Sequence, residues 1–137
     1  MSTMTLTRQD ARLEAALGQS ITALIANQAQ ADAKTARVLD THRALVAAET
    51  AVSFQRVRLV NVATAQRRVD DAVLDELDAQ FEKLEEAAEE RDALEADLVR
   101  LLQAREEEVK RKAAEAAPAT GPAPVPVTAS PTSARRR

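Results

Sequence analysis

From Ile21 to Leu102 the apolar residues return at steps of three, four or seven, with polar residues between them. That is the spacing of one stripe on an α-helix, not the alternation of a strand. The stripe also contains a mirror. If the chain folds back near Asn61, facing residues carry numbers of constant sum. A sum of 123 sets Ile21 against Leu102, Ile25 against Leu98, Ala29 against Leu94, Ala36 against Ala87 and Leu39 against Leu84. It continues with His42 against Phe81, Val46 against Leu77, Thr50 against Val73 and Phe54 against Val69. Charges follow the same sum: Asp32 faces Arg91, Lys34 faces Glu89, Arg37 faces Glu86, Asp40 faces Lys83 and Arg8 faces Glu115. Two pairs are like-charged, Arg12 with Arg111 and Arg56 with Arg67. A single continuous helix gives no reason for both matches. An antiparallel dimer of long helices gives the same reason as an intrachain hairpin, and both stay open here.

The expected fold class is all-α: a long antiparallel helical hairpin, a two-helix coiled-coil-like rod, with a Pro/Ala-rich tail. Thr7-Arg-Gln-Asp10 has the form of a helix start, with an acceptor hydroxyl and a carboxylate near the positive end of the dipole. Gly18 is the only glycine before the tail, and nothing from there to Ala117 forces a stop. Lys110, Arg111 and Lys112 suit a helix C-terminus, and Pro118 ends it. The expected organisation is a flexible stretch over 1–7, a hairpin over 8–117 turning near 58–66, and a disordered tail over 118–137. Asn61 and Thr64 are the best turn residues in that window.

Composition agrees with long helices and argues against a compact globule. The chain has 137 residues, 45% hydrophobic and 30% charged, with 1% aromatics, two glycines and five prolines that all follow residue 117. No cysteine is present, which excludes disulfides and thiolate chemistry. The N-terminus lacks a basic region followed by an apolar one, so no signal peptide is expected. The longest uncharged run, Ala15 to Ala31, carries Gln, Ser, Thr and Asn, which disfavours a transmembrane segment. The expected location is cytoplasmic or within a macromolecular particle.

The net charge of −3 hides blocks. Residues 1–69 carry +4, residues 70–98 carry −11, residues 99–117 carry +1, and Arg135, Arg136 and Arg137 end the tail. Such blocks decide which surfaces attract one another.

Little in the sequence carries chemistry. His42 is the only histidine, and no Ser or Cys nucleophile on a constrained turn accompanies it. Glu85, Glu86, Glu89 and Glu90 stand at i, i+4 spacing, which suits weak divalent binding, but a solvated acidic face or an electrostatic partner for the other arm is the expectation. No Gly-rich phosphate loop exists. No catalytic residue, metal or cofactor is expected, and no enzyme.

The informative stretch is FQRVRLVNVATAQRRV, residues 54–69, which lacks any acid while the following 28 residues hold 13. As a hairpin tip it sets Leu59, Val60 and Val62 among Arg56, Arg58, Arg67 and Arg68. An apolar patch with an arginine rim marks a contact surface. The expected core of the hairpin is Ile21, Ile25, Leu39, Val46, Phe54, Val69, Leu77, Phe81, Leu84, Leu94, Leu98 and Leu102.

Within that stretch, ATAQRRVDDA over 63–72 resembles the turn-and-return segment of the α-helical hairpins in HlyD-type membrane-fusion adaptors, with Arg56 and Leu59 before it as those hairpins have. Ala65 stands where that family has Ser, and a turn glycine is missing. The flanking lipoyl and barrel strands are not found, so the resemblance implies convergence on hairpin-tip chemistry. In overall shape the chain is also similar to stalk proteins of flagellar and type III export machines.

The functional expectation is a non-enzymatic structural or adaptor protein. It oligomerises and docks into a larger assembly, with protein partners, through its apolar and arginine-rich tip. The alternative is an assembly scaffold, such as a viral particle or secretion-machine component, or a polyanion-binding protein acting through the basic tail. Nucleic acid is the less favoured partner, because no aromatics are available for base stacking.

Overall fold

The computed structural model describes residues 5–65 and 67–117, so the expectations for residues 1–4 and for the tail, Arg135 to Arg137 included, lie outside the described residues. The helices are α1 (Asp10–Leu17), α2 (Ile21–Ala26), α3 (Ala33–Thr64) and α4 (Asp71–Ala116), with a 3-10 turn at Gln28–Gln30 between α2 and α3. No strand occurs among the described residues. The two long helices pack against each other along the chain as an antiparallel hairpin. Lys34, at the start of α3, lies 3.6 Å from Glu108, near the end of α4.

The first arm is not one helix. Gly18 ends α1 in a left-handed conformation, φ 71°, which glycine adopts without a Cβ penalty, and its N–H donates to the Glu14 carbonyl. The Ser20 hydroxyl then accepts from the Ala23 N–H at the start of α2, and the Glu14 carboxylate accepts from the Ile21 N–H. Asp32 caps α3 through the Thr35 N–H at 2.7 Å. Each cap satisfies an amide that the helix start leaves open. These three local signals break the arm that the periodicity alone ran together.

The turn also sits later than 58–66. Thr64 donates its hydroxyl to the Val60 carbonyl within α3, so neither it nor Asn61 makes the turn. The connection begins at Ala65, and α4 starts where the Asp70 carboxylate accepts from the Val73 N–H. The register moves with the turn. The numbers of Thr64 and Asp71, which flank the connection, sum to 135, and those of Lys34 and Glu108 sum to 142, not 123. Arg8 pairs with Glu95 and Arg12 with Glu106, not with Glu115 and Arg111, because the N-terminal segment packs on α4 as a separate element.

The seam of the hairpin is a heptad pattern. On α3 it runs through Val38, His42, Leu45, Ala48, Val52, Gln55, Leu59 and Val62. On α4 it runs through Val73, Leu77, Gln80, Leu84, Ala87, Arg91, Leu94, Leu98 and Leu101. All are buried or half-buried. Of the expected core, Leu39, Leu98 and Leu102 are buried, and Ile21, Val46, Leu77, Leu84 and Leu94 are half-buried. Ile25, Phe54, Val69 and Phe81 are instead 51–70% exposed. On α3 the 123 register met the seam at His42 but ran one to two positions off it at Leu39, Val46, Thr50 and Phe54, and on α4 it took Phe81 and Leu102 in place of their neighbours Gln80 and Leu101.

At 1.5 Å per residue, α3 is about 48 Å long and α4 about 69 Å. The excess of α4 is covered by the N-terminal segment, which folds back so that α1 packs on α4. The resulting three-sided base holds the one hydrophobic cluster: Leu13, Leu24, Val38, Leu39, Leu45, Leu98 and Leu102. The distal half has only two helices and buries little beyond Val52, Val73 and Gln80.

Two expectations follow. Spin labels at Lys34→Cys and Glu108→Cys, diluted into unlabelled chain, should report backbones about 10 Å apart, the spacing of packed helices. Labels at Lys34→Cys and Glu89→Cys should be separated by about 28 Å along α4. Gln80 is 4% exposed, and its Oε1 accepts no hydrogen bond. An unpartnered buried amide is destabilising, so Gln80→Leu at this seam position should raise the unfolding midpoint by the equivalent of about 1–2 kcal/mol. Thermal denaturation by circular dichroism reads this directly.

Candidate functional site

Three places on the hairpin merit chemical scrutiny: a buried polar knot in the base, a cleft beside it, and the exposed distal half. In the knot, the Asp10 carboxylate accepts four hydrogen bonds. Its Oδ1 accepts from the Thr7 N–H at 3.1 Å, the Thr7 hydroxyl at 2.5 Å and His42 Nε2 at 2.9 Å, and its Oδ2 accepts from the Leu6 N–H at 2.6 Å. Thr7, Asp10 and His42 are all at most 5% exposed. Burial pushes the Asp10 carboxyl upward, but the bonds from Thr7, His42 and the Leu6 and Thr7 amides outweigh it and hold the group below its ordinary value. Leu6 and Thr7 are therefore tied down by hydrogen bonds to Asp10, within the stretch 1–7 that the sequence suggested to be flexible. His42 does not meet Phe81. Its Nε2 fastens the N-terminal segment onto α3.

The cleft, about 540 Å³, lies between the start of α3 and the end of α4. Leu17, Val38 and Leu101 form apolar walls, with Lys34, Arg37, Arg105 and Arg111 around them. Lys34 and Arg105 are answered from within, while Arg37 and Arg111 take part in no ion pair among the described residues. Glu108 contacts Lys34, Arg105 and Lys112, and these pairs, the Lys112 hydrogen bond foremost, lower its carboxyl below the usual range. The cleft is an electrostatic clasp between the arms.

The distal half is different in kind. Phe54, Val57, Val60, Val69, Leu74 and Phe81 are 49–70% exposed, and all lie in the half away from the base. Arg56, Arg58, Arg67 and Arg68 are exposed as well. Arg58 lies over the Phe54 ring, 5.7 Å from its centroid, and Arg67 pairs with Glu76. Leu59 and Val62 are half-buried, because they point into the seam with α4. The apolar positions that reach solvent are Val57 and Val60, one helical turn along the outer side of α3, where they line a shallow groove with Ser53, Arg56 and Asn61. Leu74 and Phe81, seven residues apart, share one flank of α4. The sequence pointed to the arginines and Val60. It missed Leu74 and Phe81, whose heptad offset from the seam at Val73 and Gln80 is the signal that reveals them.

Glu85, Glu86, Glu89 and Glu90 are exposed on α4. Among the described residues, no group of three or more His, Cys, Asp or Glu is placed to hold a metal ion. Among the described residues, no helix is long and apolar enough to cross a membrane. The chain matches no protein-family model, and no curated protein or solved structure is detectably similar to it.

Proposed function

We propose that this chain is a non-enzymatic structural or adaptor protein whose distal hairpin half docks into an assembly. One observation carries the reading: the buried hydrophobic cluster lies in the base, while five of the six large exposed apolar residues on the two long helices, all but Val109, gather in the other half. Scattered exposed hydrophobes are normal, but a contiguous set with an arginine rim is the make-up of a contact surface. The base fixes the hairpin, and the distal half, about 20–30 Å of paired helix, is what projects from it. Val57, Val60, Leu74 and Phe81 supply the area to bury, and Arg56 orients the contact.

A photocrosslinking residue placed at Val57 or Leu74, with a control at Glu107 in the base, tests this in the cells that make the protein. Adducts from the distal positions, absent from the control and lost in Val57→Asp/Val60→Asp at unchanged helicity, are the expected result. Equal adducts from the base, or none from the distal half, would remove that half from consideration.

A further inference from the structure

We propose that the partner of the distal half is a second copy of this chain. The two hairpins lie side by side with their tips aligned, and α3 of each packs on α4 of the other as a four-helix bundle. This rests on the reading of the distal half as the contact face, and it names the occupant.

The first reason is charge. Residues 51–68 hold four arginines and no acid, while residues 71–92 hold ten acids and two bases. Within the chain these two blocks barely neutralise each other: among the described residues only Arg67 and Glu76 form an ion pair between them. Arg56 and Asp78 are exposed and take part in no ion pair among the described residues. A two-fold axis parallel to the hairpin sets the basic helix of one copy against the acidic helix of the other, twice. The reversed orientation sets the basic block against α4 beyond Leu98, where residues 99–117 are net positive, and against the base already covered by α1.

The second reason is register. With tips aligned, residues facing across the two copies keep a constant sum, as they do within each hairpin near its turn. A sum of 134 brings Val60 onto Leu74 of the second copy, Arg56 onto Asp78, and Ser53 onto Phe81. These rows, 53-56-60 on α3 and 74-78-81 on α4, have matching steps of three and four. Helical rotation from the seam places both about a quarter turn away, on the same side of the hairpin. Apolar meets apolar, cation meets anion, and the large Phe81 ring meets the smallest residue of the α3 row. One step further toward the base, Glu49 meets Glu85, which sets the end of the matched strip.

Size limits the strength of the contact. The matched strip runs from Ser53 to the end of α3 at Thr64, about 16 Å, and at two helices wide it covers roughly 300 Å² per copy, less than a standard specific interface buries. A contact of this size depends on its two Arg56–Asp78 pairs, so association no tighter than the micromolar range, weakened by salt, is expected.

The test is a charge exchange in the full chain, read as mass by sedimentation equilibrium. The parent should shift from 14.8 kDa toward twice that mass as concentration rises through the micromolar range. Arg56→Glu alone sets two like-charged pairs in the dimer, as does Asp78→Arg alone. Each should dimerise about tenfold or more weakly, with helicity and melting of the monomer unchanged. An equimolar mixture of the two variants restores both opposite-charge pairs and should recover the heterodimer. A parent that stays monomeric above 100 µM (roughly a hundredfold beyond a micromolar constant) overturns the second copy, and distal crosslinks to a different protein would then leave the docking reading standing. Single variants that dimerise like the parent overturn the face, and a mixture that fails to recover overturns the tip-aligned orientation.

Discussion

Leu98→Ala lowers the stability of the fold by about 3–4 kcal/mol, the cost of deleting a fully buried leucine whose surroundings close only in part. Leu98 is 0% exposed and sits in the cluster with Leu13, Leu24, Val38 and Leu102. Four helices meet there, so no single one can slide to fill the cavity. For a domain of this size each kcal/mol moves the midpoint by about 4–8 °C, so a loss of more than 10 °C is expected in a thermal melt. Phe81→Ala is the control. Phe81 is larger but 51% exposed, and at low micromolar or lower concentration its removal should cost less than about 1 kcal/mol. At higher concentration the same variant becomes more harmful, because the dimer contact is lost with it. Equal effects of the two substitutions under dilute conditions would mean that the base is not where stability resides.

That contrast also shows what the sequence disclosed. The heptad of α4 is written plainly in Val73, Leu77, Leu84, Leu94 and Leu98, because leucines and valines at steps of three and four have no other helical reading. The fold-back was read from the mirror of apolar and charged positions, which left an antiparallel dimer of long helices equally open. The register was not legible, because a symmetric mirror of small residues such as Ala29, Ala36 and Ala87 tolerates several alignments. What fixes it is capping chemistry at Asp70, one residue past the stretch that drew attention. Asp32 and Ser20 carried the same kind of signal. Each is a short acceptor side chain three residues ahead of the amide it satisfies. The docking of α1 lay beyond local reading altogether. Asp10 and His42 are 32 positions apart, and only the packed base brings them to 2.9 Å. The exposed apolar face was half legible: the arginine rim could be read off directly, but which valines face out depended on knowing the seam.

Asp10→Ala should detach the N-terminal segment from the hairpin. The substitution removes the acceptor for the Leu6 and Thr7 amides, the Thr7 hydroxyl and His42 Nε2 together, in a site where water does not replace it. Breaking a buried polar network from one side costs about 3–5 kcal/mol. Re-exposing residues 5–9 to solvent lets the segment avoid part of that cost by peeling away. The expected signature is therefore local. Amides of α1, such as Leu13, exchange hydrogen much faster, while those in the middle of α4 slow or hold unless Leu98 loses its cover. Asp10→Asn separates charge from shape. In the parent the folded carboxyl titrates below its ordinary value of 3.8, so its contribution is fully present above that pH. It is lost as pH falls through the lower folded-state value, where the native carboxylate must take up a proton. In Asp10→Asn nothing titrates at this position. The stability gap between parent and variant should narrow as pH falls below about 4. The other carboxylates titrate equally in both proteins and cancel in the difference. A gap that stays flat to pH 2 would show that Asp10 acts as a packed polar side chain and not through its charge, and the knot would then be held by Thr7 and the backbone rather than by the bond to His42.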